Sequence, residues 1–211
     1  MMQDKTSFSL KTLTAAALAA ALLAACGSSP PTQFYTLAVP ADGAVARTAS
    51  QGPQTFIEVM PVSVPERLAR PQLVVRSDAT RVEVLEQDRW SSPFNNELRD
   101  ALSAGVAARL GAIDVSRGGR PADQASYRIN VELRDFDAAR NGQVQASFGW
   151  TITRSDDRRG AACRQTVVER VGGGANSDVV AATQKAVERA VQAIADNVRA
   201  LQAGQNGQCA S

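Results

Sequence analysis

The sequence predicts an α/β domain in which a mixed, largely antiparallel sheet packs against two main helices. Alternating apolar and polar residues between 127 and 152 indicate half-buried strands. Apolar stripes at helical spacing cover residues 93–110 and 177–201. Because a strand buries one face and such a helix buries one stripe, these elements are expected to share one core.

Five short β-prone runs precede or directly follow the first helical stripe. Each is apolar or β-branched and is bounded by prolines, glycines or polar turns. They cover residues 34–37, 55–60, 72–76, 81–85 and 113–116. Pro71 favours extended backbone at Arg70, so this pair sets the entry to the third run.

Helix boundaries are indicated by local signals. Pro93 is suited to the first turn of a helix, and Ser91 or Ser92 is predicted to cap it. Gly111 is the expected stop. The Ala- and Val-rich stripe of the last helix, residues 177–201, predicts close packing on a sheet and not a coiled coil.

The clearest alternation predicts an antiparallel meander of three strands. The strands are expected at 127–134, 144–152 and 162–171, with turns at Asn141-Gly142 and at 154–160. The three consecutive glycines at 172–174 end the meander and lack the spacing of a phosphate-binding loop.

The amino terminus has the pattern of a lipoprotein signal. Lys5 and Lys11 precede an uncharged run, Leu13–Ala25, that is too short to span a membrane. The run ends in Leu-Ala-Ala-Cys, so Cys26 is predicted to be the acylated first residue of the mature chain. The alternative is an ordinary cleavage site beside an incidental cysteine.

The domain organisation and the expected cellular location follow from this interpretation. Gly27 is not the aspartate that commonly retains lipoproteins in the inner membrane, so we expect a lipid anchor on the periplasmic face of the outer membrane. The predicted segments are a signal peptide (1–25), an acylated tether (26–33), a single domain (34–203) and a flexible tail (204–211).

Composition excludes several functions. The chain has 23 Lys and Arg against 21 Asp and Glu, with the basic residues scattered, so nucleic-acid binding is not expected. There is no histidine, no G-x-S-x-G and no S-x-x-K, which argues against an enzyme. We expect no cofactor and no metal site.

Two cysteines follow Cys26. In an oxidising periplasm, Cys163 and Cys209 are a candidate disulfide that would contribute about 4 kcal/mol on the chain-entropy model. The alternative is a buried Cys163 and an unrelated thiol on a frayed tail.

Several short motifs occur in a characteristic order. They are Phe-Tyr-Thr-Leu at 34–37, Arg-Leu-Ala-Arg-Pro-Gln-Leu-Val-Val-Arg at 67–76, and Trp-Ser-Ser-Pro at 90–93 before a helix that ends at Leu110. This order resembles the ABC-type transport auxiliary lipoprotein family, which includes PqiC-like lipoproteins. The family often has Leu-Asp where this chain has Leu68-Ala69, which leaves any role of that carboxylate without a counterpart here.

The resemblance implies a three-layer α/β/α domain with a role in envelope transport. It implies an accessory subunit of an MCE-type transporter that moves lipids or hydrophobic molecules across the envelope. The alternatives are a structural lipoprotein of another envelope assembly and, less favoured, an envelope hydrolase. The expected partners are an MCE-domain component and membrane lipid through acylated Cys26, with a second copy of the chain as a further candidate.

A partner-docking surface is predicted where prolines fix the backbone and so reduce the ordering cost of binding. The candidate residues are Arg67, Arg70, Pro71 and Trp90. For Trp90 the sequence leaves two readings: a core or hinge anchor, or an exposed anchor for a partner.

Overall fold

The computed structural model describes residues 30–38, 54–119, 124–205 and 209. The predicted signal peptide, Cys26 and Gly27 lie outside the described residues. The described elements belong to one compact unit that begins at Gln33. In chain order they are β1 (Gln33–Tyr35), β2 (Phe56–Val59), a 3-10 turn (Glu66–Leu68), β3 (Gln72–Arg76), β4 (Val82–Trp90), α1 (Phe94–Leu110), β5 (Ile113–Asp114), β6 (Ser126–Ala138), β7 (Gln143–Arg154), β8 (Gly160–Arg170) and α2 (Asn176–Gln202).

The strands form two mixed sheets. The larger has the order β5-β2-β6-β7-β8, in which β2 runs parallel to both β5 and β6 and the remaining pairs are antiparallel. The smaller has the order β1-β4-β3, with β1 parallel to β4. The predicted α/β class with largely antiparallel pairing is confirmed, although the strands divide between two sheets.

The meander of β6, β7 and β8 is the centre of the fold. Its inward-facing residues, among them Ile129, Val131, Phe148 and Ile152, are almost fully buried. In β6 the register shifts between Leu133 and Asp135. The shift moves the buried positions from odd to even numbers, so β6 continues four residues beyond its predicted end with its apolar side chains still in the core.

Both helices cover the same face of the larger sheet and pack against each other. The opposite face is open, and Arg128, Asn130 and Glu132 of β6 are exposed on it. The sheet is therefore not enclosed between the two helices, which differs from the three-layer order that the resemblance implied. The apolar stripes explain the arrangement, because both helices bury their stripes in one continuous core.

Gly105 lets the two helices approach closely. A Cβ atom at this position would lie 2.8 Å from Cγ2 and 2.9 Å from Cγ1 of Val191 on α2. Val191 is buried and β-branched, so its side chain has little rotamer freedom to move aside. The glycine thus sets the distance between the helices.

We predict that Gly105→Leu destabilises the domain by about 1–3 kcal/mol, because the new side chain overpacks the contact with Val191. Urea unfolding measures the change in free energy. Val191→Ala should restore part of the loss in the double variant, as expected for directly coupled residues.

Ala104→Leu is the matched control, since Ala104 is the neighbouring helix position and is exposed. Its free energy of unfolding should stay within about 0.5 kcal/mol of the wild type. Equal losses at positions 104 and 105 would contradict the close-packing role of the glycine.

Candidate functional site at the amino-terminal junction

Glu97 of α1 lies in the core and is 7% exposed. Its Oε2 accepts hydrogen bonds from the Thr36 hydroxyl (2.8 Å) and from the Leu37 backbone N–H (2.9 Å). Its Oε1 accepts hydrogen bonds from the hydroxyls of Ser91 and Ser92. One carboxylate therefore joins the segment that follows β1 to the segment that enters α1.

The two serines act differently from the sequence prediction. Pro93 occupies the N-cap position of α1, and no side chain caps the helix. The prediction that Ser91 or Ser92 caps the helix is therefore wrong, because both hydroxyls donate to Glu97 instead. The predicted stop at Gly111 is confirmed, since this residue is left-handed with φ 61°.

The pKa of Glu97 reflects two opposing effects. Burial raises the pKa of this carboxyl, because the charged form loses its hydration. The hydrogen bonds from Ser91, Leu37, Thr36 and Ser92 favour the charged form and outweigh burial, so the net pKa lies below its ordinary value. Glu97 is thus ionised at neutral pH and links the segment after β1 to the segment that enters α1.

Trp90 ends β4 on the core side of the same junction. It is 6% exposed, and its ring lies 5.1 Å from that of Phe94, which in turn lies 5.4 Å from that of Phe136. The Trp90 backbone N–H donates to the Pro71 carbonyl at 2.6 Å. Of the two readings that the sequence left open, the structure shows the core anchor, and the buried ring is not available to a partner.

The predicted docking segment lies beside this aromatic row. Arg67 belongs to the 3-10 turn, and its exposed guanidinium donates to the Phe136 carbonyl (2.8 Å) and pairs with Asp135 (3.3 Å). Arg70 is half-buried, and its Nε is buried without a hydrogen-bond partner. Arg67, Arg70, Pro71 and Trp90 thus meet in one region, with Arg67 as the member that offers its charge to solvent.

Cys163 of β8 and Cys209 are disulfide-bonded in the structure, with their Cα atoms 5.4 Å apart. The bond closes a stretch of 46 residues that includes all of α2. It fastens the residue beyond the last helix to the edge strand of the larger sheet.

Two further observations concern metal binding and membrane spans in the described residues. Among these residues, no group of three or more His, Cys, Asp or Glu side chains could hold a metal ion. Neither α1 nor α2 combines the length and apolarity needed to cross a bilayer.

Residues 35–195 match the family described as ABC-type transport auxiliary lipoprotein component. The chain belongs to this family. The matched range contains the whole junction around Glu97, the predicted docking segment and most of α2. The family resemblance inferred from the order of the motifs is therefore confirmed, and the protein is a transport auxiliary lipoprotein.

Two curated relatives carry the same name. The chain is 29% identical over 136 residues to intermembrane transport lipoprotein PqiC of Escherichia coli (strain K12), covering 64% of this chain and 71% of the relative. The PqiC of Shigella flexneri matches with the same identity and coverage.

Solved structures support the fold. A crystal structure of an uncharacterized protein is 18% identical, with a TM-score of 0.61, and the match covers 80% of this chain and 99% of that one. A crystal structure of a protein from Xanthomonas campestris is 17% identical, with a TM-score of 0.56 and coverage of 83% and 97%. At these identities the likeness concerns the fold alone.

Sequence reasoning did not identify Glu97 as a central residue. A signal was present, because two serines and a proline precede a glutamate in the first turn of a predicted helix. Hydroxyl donors followed by a carboxylate at this spacing can meet where the chain enters the helix. The contribution of Thr36 and Leu37, which lie about 60 residues earlier, is visible only in the fold.

We predict that Glu97→Gln lowers the free energy of unfolding at neutral pH by about 1.5–3 kcal/mol, because it removes hydrogen bonds to a charged acceptor. Chemical unfolding followed by circular dichroism measures the loss. Glu66→Gln is the control, since Glu66 is exposed on the 3-10 turn and should change little.

The Glu97→Gln variant also tests the lowered pKa of Glu97. Because the folded pKa of Glu97 is lowered, its stabilisation is fully present above the ordinary glutamate value and is lost as the pH falls through the folded value. The difference between wild type and Glu97→Gln should therefore shrink between about pH 6 and about pH 3. A stability difference that stays constant over this range would contradict the stabilising role of ionised Glu97.

We predict that Cys209→Ser lowers the free energy of unfolding by up to about 4 kcal/mol in a Cys26→Ser background, by opening the loop that the disulfide closes. Unfolding with and without a reductant provides the measurement. The free energy of unfolding of the Cys209→Ser variant should be the same with and without the reductant. If oxidised wild type is no more stable than this variant, the bond has no structural role.

Proposed function

We propose that this chain is a non-catalytic lipoprotein, tethered to the periplasmic face of the outer membrane, that serves an MCE-type envelope transport system as an accessory subunit. The cargo class would be lipids or other hydrophobic molecules. The observation that carries the proposal is the family match over residues 35–195. The name of the curated relatives, intermembrane transport lipoprotein, supports the same direction.

The proposed tether follows from the sequence before the domain. Acylation of Cys26 with two or more chains would anchor the protein stably, whereas one chain alone binds a bilayer reversibly. The eight residues 26–33 precede Phe34 and span at most ~28 Å when fully extended. A domain on such a tether remains near the leaflet and meets a second partner there at high effective concentration.

Arg67 is the best-supported candidate for docking. Its two contacts, with the Phe136 carbonyl and with Asp135, hold the guanidinium on a short, proline-bounded turn. A side chain that is already positioned loses less freedom on binding than a mobile one. An exposed guanidinium can also form paired hydrogen bonds with a partner carboxylate.

The hydrolase alternative receives no support from the described side chains. Glu97 is the buried carboxylate of the junction, and four donors already occupy it. A groove of about 790 Å³ lies over the open sheet face, and the carboxylate in it, Glu132, is paired with Arg134 at 2.9 Å. A structural role in another envelope assembly is the second candidate, and the partner distinguishes it.

We predict that metabolic labelling with palmitate marks the wild-type protein but not Cys26→Ala, because the thiol is the acylated group. The labelled protein should fractionate with the outer membrane, and Gly27→Asp should move it toward the inner membrane. Label on Cys26→Ala would contradict the lipidation site. An unchanged distribution of Gly27→Asp would remove the basis of the outer-membrane assignment.

We predict that Arg67→Glu abolishes co-purification with an MCE-domain protein while shifting the melting temperature by less than about 4 °C. The small shift is expected because an exposed ion pair contributes about 0–1 kcal/mol. Affinity purification from membranes with mass spectrometry identifies the partner.

Arg189→Glu is the matched control, since Arg189 is also exposed and paired with a carboxylate, that of Glu169 at 3.3 Å. It should retain the partner. Loss of the partner with both variants, or a collapse of the melting temperature with Arg67→Glu alone, would contradict docking at the 3-10 turn. Recovery of peptidoglycan or a secretin in place of an MCE protein would favour the structural alternative.

A further inference from the structure

Phe34 is the most exposed large apolar side chain in the described part of the chain. It is 67% exposed, compared with 52% for Val168, 49% for Val82 and 48% for Ile113. An isolated exposed phenylalanine is unremarkable on an ordinary surface. Its position in the chain, at the start of the domain, gives it a specific environment.

The strand that carries Phe34 is held firmly to the domain. β1 pairs with β4, so that Phe34 lies opposite Arg89, and the Tyr35 hydroxyl donates to Asp88 at 2.8 Å. The Ser91 N–H donates to the Tyr35 carbonyl at 2.7 Å. The next two residues, Thr36 and Leu37, are bound by Glu97. The phenyl ring is thus presented from an ordered strand.

The length of chain before Phe34 identifies what it meets. Seven residues lie between Cys26 and Phe34, and a flexible chain of eight residue steps has a root-mean-square span of roughly 15 Å. The two headgroup regions of a bilayer together add about 10–15 Å to its hydrocarbon core, so each is about 5–8 Å deep. A chain with a span of roughly 15 Å therefore lets Phe34 reach the headgroups of the leaflet that holds Cys26. An anchored Cys26 therefore keeps the ring of Phe34 beside the leaflet.

Arg89, the neighbour of Phe34 on β4, is a side chain of the kind found at lipid surfaces. Arg89 lies opposite Phe34 in the register, and its side chain is 38% exposed. Its Nε donates to the Glu86 carbonyl, while one terminal nitrogen lies 3.6 Å from the Glu86 carboxylate. An aromatic ring beside a long cationic side chain is a typical combination at the interface between lipid and water.

We propose that Phe34 inserts into the interface of the leaflet that holds Cys26, with Arg89 directed at lipid phosphates. The inference rests on the acylation given under the proposed function. The occupant is a glycerophospholipid surface and not a partner strand, because β1 has three residues and offers few backbone hydrogen bonds to an added strand. This second contact fixes the orientation of the domain, which an acyl tether alone leaves free.

The test uses the full acylated chain in vesicles of phosphatidylethanolamine and phosphatidylglycerol with brominated acyl chains, which quench nearby indoles. Phe34→Trp should show a blue-shifted emission and lose roughly half of the added fluorescence, as expected for a ring buried in the interface. The native Trp90 and Trp150 are 6% and 4% exposed, and their emission is subtracted using the wild type.

Val82→Trp is the matched control. Val82 is exposed on the same strand as Arg89 but seven residues away, about 23 Å along β4. Its added fluorescence should keep its full intensity in the same vesicles.

The outcomes separate the inference from the proposal on which it rests. Quenching at position 34 and not at position 82 supports the insertion. Equal quenching at both positions, or none at position 34 in protein that carries palmitate on Cys26, overturns the insertion and leaves the lipid anchor intact. Absence of palmitate from Cys26 overturns both.

Discussion

The organisation of this domain depends on one buried carboxylate. Glu97 receives four hydrogen bonds, two from the chain that leaves β1 and two from the chain that enters α1. A buried charge is costly unless it is fully paired, so the fold must bring all of these donors together before the carboxylate stabilises it. The consequence is that the first described segment of the chain is joined to α1, and through Trp90 and Phe94 to the core.

The junction gives the family motifs a physical explanation. Trp90 anchors the end of β4 in the core, the serines after it satisfy Glu97, and Pro93 begins the helix. The Pro71 carbonyl accepts a hydrogen bond from the Trp90 backbone N–H, which links the predicted docking segment to the same point. These contacts join β1 and the residues after it to the rest of the domain. The family match makes the chain a transport auxiliary lipoprotein.

Local patterns predicted the elements well where periodicity was strong. The strand at 72–76 matches β3, and the meander and both helices differ from the predicted bounds by a few residues. The longer β4 was missed because its end pairs with β1, about 55 residues earlier, and no local pattern encodes that pairing. The division into two sheets, the shared face of the helices and the closure of Glu97 are also long-range features. Arg67, Arg70, Pro71 and Trp90 lie in one region of the fold, and their role in docking stays a prediction. Burial, which periodicity does not report for single residues, removes Trp90 from the surface.

Glu97 and the pairing of β1 with β4 hold the first described strand and Leu37 to the core. The most direct measurement is hydrogen exchange of the Leu37 amide, which donates to Glu97. We expect this amide to exchange as slowly as the helical amides of α1, because both open only when the junction breaks. The contrary result is exchange as fast as that of the exposed Asp157 amide while α1 stays protected. It would show that Glu97 does not hold the chain at Leu37.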